Sequence, residues 1–157
     1  MKKNKVLITL SSVLIILLIL IVGLLINLHY KQSFRPPKFD SNASNKIPTN
    51  VDYQSELLNV GEGYSIYISA KPKLIKNNLK VDFISLDTNN IWIKIRVLHK
   101  NEIIGESGLV KPGQYLAKIK LNKKVSAKDN ITYMIMGYEP DTYLSAGTIT
   151  LNTRVDG

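Results

Sequence analysis

Ser107 stands in "GESGLVKPGQY" (Gly105 to Tyr115), between a carboxylate and a glycine, and superficially resembles a reactive serine. A nucleophile elbow reads G-x-S-x-G at a strand-to-helix turn and needs a histidine to take the hydroxyl proton. Here the second glycine comes one place early, and the two histidines, His29 and His99, both precede the serine. The residues therefore read as a strand end entering a turn. Lys111-Pro112-Gly113-Gln114 fits a type II turn, with proline presetting φ at the second position and glycine supplying positive φ at the third.

Glycoside hydrolysis needs two carboxyl groups, one with a raised pKa. Glu139 and Asp141 flank Pro140 in "YEPDTY", and alternation around Glu102 and Glu106 points that pair to one strand face. Both pairs fall at loop or strand ends, where solvated carboxylates are ordinary. "DTNN" from Asp87 has the oxygen-rich character of part of a calcium loop, but the glycine and distant glutamate of an EF-hand loop are missing. An Asx-type turn between strands is the stronger reading. With no cysteine and two histidines in 157 residues, thiolate metal sites, disulfides and cysteine nucleophiles are excluded. No cofactor, metal or catalytic residue is assigned, and the expectation is a protein that is not an enzyme.

A third group is Trp92 with Lys94 and Arg96 on one strand face, together with Lys118 and Lys120 on another and Tyr138 and Tyr143 around "YEPDTY". An aromatic beside cations suits an anionic envelope polymer, phosphate head groups or a protein partner. Against this stands a solvated lysine-rich face that limits aggregation. These seven residues are the candidate interaction surface.

The net charge is +9, but Lys2, Lys3 and Lys5 precede the first apolar run, which leaves +6 from His29 onward. Lysine outnumbers arginine 18 to 3, and the arginine forks and stacked aromatics of nucleic-acid recognition are not concentrated anywhere. Nucleic acid is not an expected partner.

Several elements must position these groups. Val6 to Leu28 carries no charge over 23 residues, against the roughly 20 that a helix needs to cross a bilayer, and no small-x-small cleavage site follows it. It is expected to be an uncleaved membrane helix (6–28) behind a basic cytoplasmic tail (1–5), because the N-terminal head is shorter and denser in positive charge. Residues 29–59, with Pro36, Pro37, Pro48 and "SNASN", read as a linker or stalk in which "SELL" around Glu56 carries a weak signal for the start of a short helix. Residues 60–157 change to short β-rich runs divided by turn residues. "YSIYISA", "LKVDFISL", "IWIKIRVL", a short run ending at Ser107, "YLAKIKL", "ITYMIMGY" and "GTITLNTRV" give seven candidate strands. In "YLAKIKL", Tyr115, Ala117, Ile119 and Leu121 are expected to share the inner side. Asn101 suits the left-handed conformation of the turn after "IWIKIRVL". Seven strands suffice for an all-β sandwich of two sheets.

From Ile91 onward, the strand ending in "ESGLVKPGQYL", then "KIKLNKK", then "YEPDTYLSAGTITLNT", resembles small membrane-anchored extracytoplasmic proteins of Gram-positive bacteria. The resemblance implies an immunoglobulin-like or fibronectin III-like sandwich outside the membrane, and it transfers no functional residues. The expected function is a membrane-anchored binding or interaction module at the bacterial cell surface. The alternative is an accessory structural subunit of a membrane-spanning secretion, pilus or conjugation apparatus.

Overall fold

The computed structural model describes residues 13–27, 34–49, 55–60 and 63–156. The chain divides into two compact units, Met1–Pro36 and Pro37–Gly157. In the first, residues 13–27 form a helix, α1. Thirteen Val, Leu and Ile side chains on α1, from Val13 to Ile26, are all exposed, at 46% or more. No helix among the described residues is long and apolar enough to cross a membrane. Residues 6–12 and 28 of the expected span lie outside the described residues, as does the basic tail.

The second unit is mostly β. Its strands are β1 (Ser55–Val60), β2 (Tyr64–Ser69), β3 (Lys73–Ile75), β4 (Asn78–Ser85), β5 (Trp92–His99), β6 (Glu102–Glu106), β7 (Tyr115–Lys120), β8 (Asn130–Tyr138) and β9 (Ser145–Arg154). They form two antiparallel sheets. One runs β1-β2-β4-β3, with β7 on β4, and the other runs β6-β5-β8-β9. This arrangement is consistent with a β-sandwich.

Alternation explains the core. Tyr64, Ile66 and Ile68 of β2, Leu79, Val81 and Phe83 of β4, and Ile93, Ile95 and Val97 of β5 are buried and meet Ile131, Tyr133 and Ile135 of β8. Burying each such side chain contributes about 1.5–3 kcal/mol, which the chain needs because it has no cross-links. Isolated bridges tie the sheets at their margins: Gly105 with Leu121 at one, Lys73 with Asp156 at the other.

All seven expected strands are present, and the count of seven is corrected by two additions. β3 is only three residues long, too short to show a period, and it returns into β4 through Lys76 at φ 56°. β1 occupies "SELLNV", so the helical reading of "SELL" is wrong: six registered pairs with β2 override the weak local helix signal. Within the expected linker 29–59, the β unit begins at Pro37, and its residues 37–46 form a strap bonded to Leu109 and Tyr115. The β7 pattern also differs from expectation. Leu116 is buried in the main core, while Tyr115 and Ala117 pack with Ile84, Tyr67 and Leu86 in a separate small cluster. The cause is a β-bulge in β4 between Lys80 and Phe83, which offsets the facing of the two strands.

Candidate functional site: the outward face of the four-stranded sheet

Register sets out this face in rows. Across β5, β8 and β9 stand Trp92, Tyr138 and Ser145; Lys94, Met136 and Thr148; Arg96, Met134 and Thr150; and Leu98, Thr132 and Asn152. The alternate positions, Ile93, Ile95 and Val97, are the ones that enter the core, so these rows face away from it. Six residues separate the first row from the last, about 20 Å along β5.

Aromatic side chains converge at the first row. Phe39 meets Trp92 edge to face at 4.8 Å between ring centroids, and Trp92 meets Tyr143 at 5.3 Å. Lys111 Nζ stands 4.5 Å from the centre of the Phe39 ring. Such pairs contribute about 0.5–1.5 kcal/mol beyond the area they bury. Tyr143 is presented by the β8–β9 loop, where its amide donates to the Glu139 carbonyl at 3.0 Å and its φ is 57°.

Phe39 is presented by the strap. Leu109 N–H donates to Lys38 O at 2.8 Å, Asp40 N–H to Leu109 O at 2.9 Å, and Gly108 N–H to Asp40 Oδ2 at 2.8 Å. The other Asp40 oxygen accepts from the Asn42 amide at 2.8 Å, an Asx turn that directs the strap toward Ser44. Ser44 and Tyr115 exchange two backbone bonds at 2.9 and 2.8 Å, so the strap runs from beside the four-stranded sheet to the five-stranded one.

Ion pairs fill the middle rows. Glu106 Oε2 accepts from Lys94 Nζ at 2.9 Å and Arg96 Nε at 3.2 Å. Lys94 is 9% exposed, a burial that a lysine tolerates only when paired. Partial burial works against Glu106 ionising, but the bonds and charges of Lys94 and Arg96 prevail and hold its carboxyl below the usual range. A hollow of about 410 Å³ between the strap and the sheet has Lys94 and Glu106 in its wall.

The seven residues expected to form the interaction surface thus separate. Trp92, Tyr138 and Tyr143 come together. Lys94 and Arg96 lie beside them, both paired with Glu106; Lys94 is withdrawn from solvent, while Arg96 stays partly exposed. Lys118 and Lys120 are exposed on β7 in the other sheet and belong to a different surface.

Ser107 is a corner. Its Oγ accepts from Ile95 N–H at 2.9 Å and donates to Gly108 O at 2.7 Å, and its amide donates to Ile95 O at 2.9 Å. Gly113 has φ 74°, and the Gln114 amide closes the turn on Lys111 O at 3.2 Å, as type II requires. Glu102 and Glu106 take separate partners, because a register shift between Val97 and Leu98 breaks the alternation that would align them. Lys123, at 2.6 Å, lowers the pKa of the exposed Glu102. Glu139 and Asp141 are exposed, and among the described residues Glu139 is the sole carboxylate bordering a hollow of about 430 Å³. In "DTNN", the Asn89 side chain pairs with both backbone groups of Ser65 at 2.8 Å, extending the edge of β2. Among the described residues no three of His, Asp and Glu converge as metal ligands.

One buried polar group escaped sequence reasoning. Asp82, at the β4 bulge with φ 41°, accepts from Tyr115 OH at 2.5 Å and pairs with Lys80 Nζ at 3.1 Å. Burial, reinforced by Asp82, pushes the Tyr115 and Tyr133 hydroxyls well above the usual tyrosine range. Phe39, Asp40, Glu106 and Lys111 were likewise missed as parts of the face. The one local signal was "DSN" at Asp40, a turn-forming run directly after an isolated aromatic.

Comparison of the chain with protein-family models, curated proteins and solved structures finds no match. The class is therefore set by architecture alone: a mostly β chain of two antiparallel sheets preceded by an apolar helix.

Proposed function

We propose that this chain is a membrane-anchored extracytoplasmic binding module whose partner docks on the outward face of the four-stranded sheet. The observation that carries the reading is the aromatic cluster of Phe39, Trp92 and Tyr143, which is built jointly by the strap, β5 and the β8–β9 loop and remains at the surface, with Phe39 42% exposed. Aromatic residues backed by satisfied ion pairs are the composition of protein-binding centres, and the same chemistry stacks on sugar rings of an envelope polymer. A protein partner is the reading taken for this end of the face.

Anchoring is supported by α1, whose apolar side chains are exposed all round, the pattern of a helix solvated by lipid. Charge distribution around the span argues for the N-terminus inside and the β unit outside. In the expected span 6–28, Thr9, Ser12 and Gly23 are the small positions that would support specific helix contacts, and they are few for such a contact face. That composition favours a plain anchor over the alternative, an accessory subunit of a secretion, pilus or conjugation apparatus whose helix makes specific contacts.

We read the sandwich as immunoglobulin-like or fibronectin III-like, as the resemblance to small Gram-positive surface proteins implies. The order β6-β5-β8-β9 corresponds to the C′-C-F-G order of such folds, while β4 is an addition, lying between β2 and β7.

Because the chain lacks cysteine, placement is directly testable. Thr148→Cys, exposed on β9, is expected to react with a membrane-impermeant maleimide in intact cells. Labelling only after lysis would reject an extracytoplasmic module.

A further inference from the structure

We propose that the last row of the same sheet face is a second binding site, specific for a phosphate-bearing polyol or sugar. Here an open groove of about 820 Å³ is lined by the β5–β6 turn, the segment around residue 128 and the end of β9. A volume in this range holds a ligand of several tens of atoms.

Three cations from three separate segments border it: Lys100, Lys128 and Arg154. Among the described residues none of the three forms an ion pair; backbone geometry places Lys100 and Lys128, and a side-chain hydrogen bond places Arg154. Lys100 and Asn101, at φ 50° and 64°, are the two central residues of a hairpin turn of type I′. Lys128, at φ 72°, lies in a segment stitched to the end of β9, where Lys128 N–H donates to Val155 O at 2.8 Å and Val155 N–H to Asp129 O at 2.9 Å. Arg154 Nε donates to the Lys128 carbonyl at 2.9 Å, which uses one of its five N–H groups and leaves the terminal nitrogens to a ligand. Among the described residues Asp129 is the sole carboxylate lining the groove, and its Oδ2 already accepts from Ser126 N–H at 2.8 Å.

Neutral donors complete the site. Thr132 Oγ1 donates to Asn152 Oδ1 at 2.7 Å, which leaves the Asn152 amide nitrogen to donate into the groove. Three cations against one engaged carboxylate call for an anion with several oxygens, and adjacent amide and hydroxyl groups suit hydroxyls next to the phosphate. The contrast with the rest of the molecule is specific: Lys94 and Arg96 are committed to Glu106, and Lys118 and Lys120 stand on the other sheet. The site is independent of where the partner of the aromatic end docks, and of the side of the membrane on which the β unit lies.

The test is titration of the full chain, held in neutral detergent, with poly(glycerol phosphate), with inorganic phosphate and with phosphatidylglycerol vesicles. Saturable binding of at least one probe is expected, weakening with salt, and reduced about tenfold or more by Lys128→Gln with Arg154→Gln. Lys118→Gln with Lys120→Gln is expected to change it less than twofold. Preference for the polymer marks a soluble or wall-borne ligand, and preference for vesicles marks a lipid head group; both support the site. Absence of binding to all three probes, or equal losses in the two double variants, would overturn it. Unchanged thermal unfolding of each variant separates lost binding from lost folding.

Discussion

The backbone of Asp40 fills the space that a side chain on Gly108 would need. The Gly108 amide donates to Asp40 Oδ2 at 2.8 Å, and a Cβ on Gly108 would lie 2.5 Å from the Asp40 backbone nitrogen and 2.8 Å from Lys38 O. Backbone cannot yield as a flexible side-chain tip can. The strap, and with it Phe39, is therefore docked through the absence of a side chain.

It follows that Gly108→Ala should lift the strap without unfolding the sheets. Trp92 is the only tryptophan, so its fluorescence reports the loss of Phe39 directly. A red-shifted emission is expected in Gly108→Ala and, more weakly, in Asp40→Ala, with the far-ultraviolet circular dichroism unchanged. Parental emission in Gly108→Ala would show that the strap does not depend on this contact.

Ser107 and Gly113 should behave differently from a nucleophile and its turn. Ser107→Ala leaves the buried Ile95 amide without its hydroxyl acceptor and should cost about 1–3 kcal/mol of stability. Partner binding by the remaining folded protein is expected to be intact. At Gly113 there is room for a Cβ, the nearest atom being Asp87 Cβ at 3.7 Å, so Gly113→Val acts through its φ of 74° rather than through a clash. About 1–2 kcal/mol is expected, measured by urea unfolding.

Stability should fall at both ends of the pH scale, for opposite reasons. Glu106 has a lowered pKa in the folded chain, so its contribution is complete above the ordinary value of 4.5 and is lost as pH falls through the lower folded value. Glu106→Gln should cost about 1 kcal/mol at neutral pH, since the carboxylate is half exposed, and should flatten the acid limb. Tyr64, whose hydroxyl donates to Ile135 O at 3.2 Å, is pushed up to about 12 by burial, and Tyr115 and Tyr133 are pushed up further. These raised values contribute stability in full below about 10, and that contribution is lost as pH rises through the folded values. In a phenolate absorbance titration Tyr64, Tyr115 and Tyr133 should resist until the protein unfolds. Tyr133 OH is buried without a hydrogen-bond partner among the described residues, so Tyr133→Phe should be neutral or stabilising.

The core strands were legible because each carries its own period. Ile91, Ile93, Ile95 and Val97 alternate without interruption, and all four are buried. β1 and the strap were not legible for a common reason. Their stability comes from backbone pairing with distant residues, Ser55 with Ser69 and Ser44 with Tyr115, and such pairing leaves no local periodicity. The bulge at Asp82 and the shift at Leu98 each displace a pattern by one residue, enough to move Leu116 inward and to part Glu102 from Glu106. Of the seven surface residues expected, alternation identified those on the outward face of β5. It carried no information on which sheet receives β7, so Lys118 and Lys120 were joined to a face they do not share.

The proposed docking face is tested most directly by photo-crosslinking in living cells. A photoreactive phenylalanine analogue at Tyr138, beside Trp92 on the four-stranded sheet, is compared with the same analogue at Lys118 on the other sheet. The account predicts a discrete adduct from Tyr138 that disappears when Trp92→Ala is added, and no such adduct from Lys118. Adducts from Lys118 alone, or from Tyr138 regardless of Trp92, would contradict it.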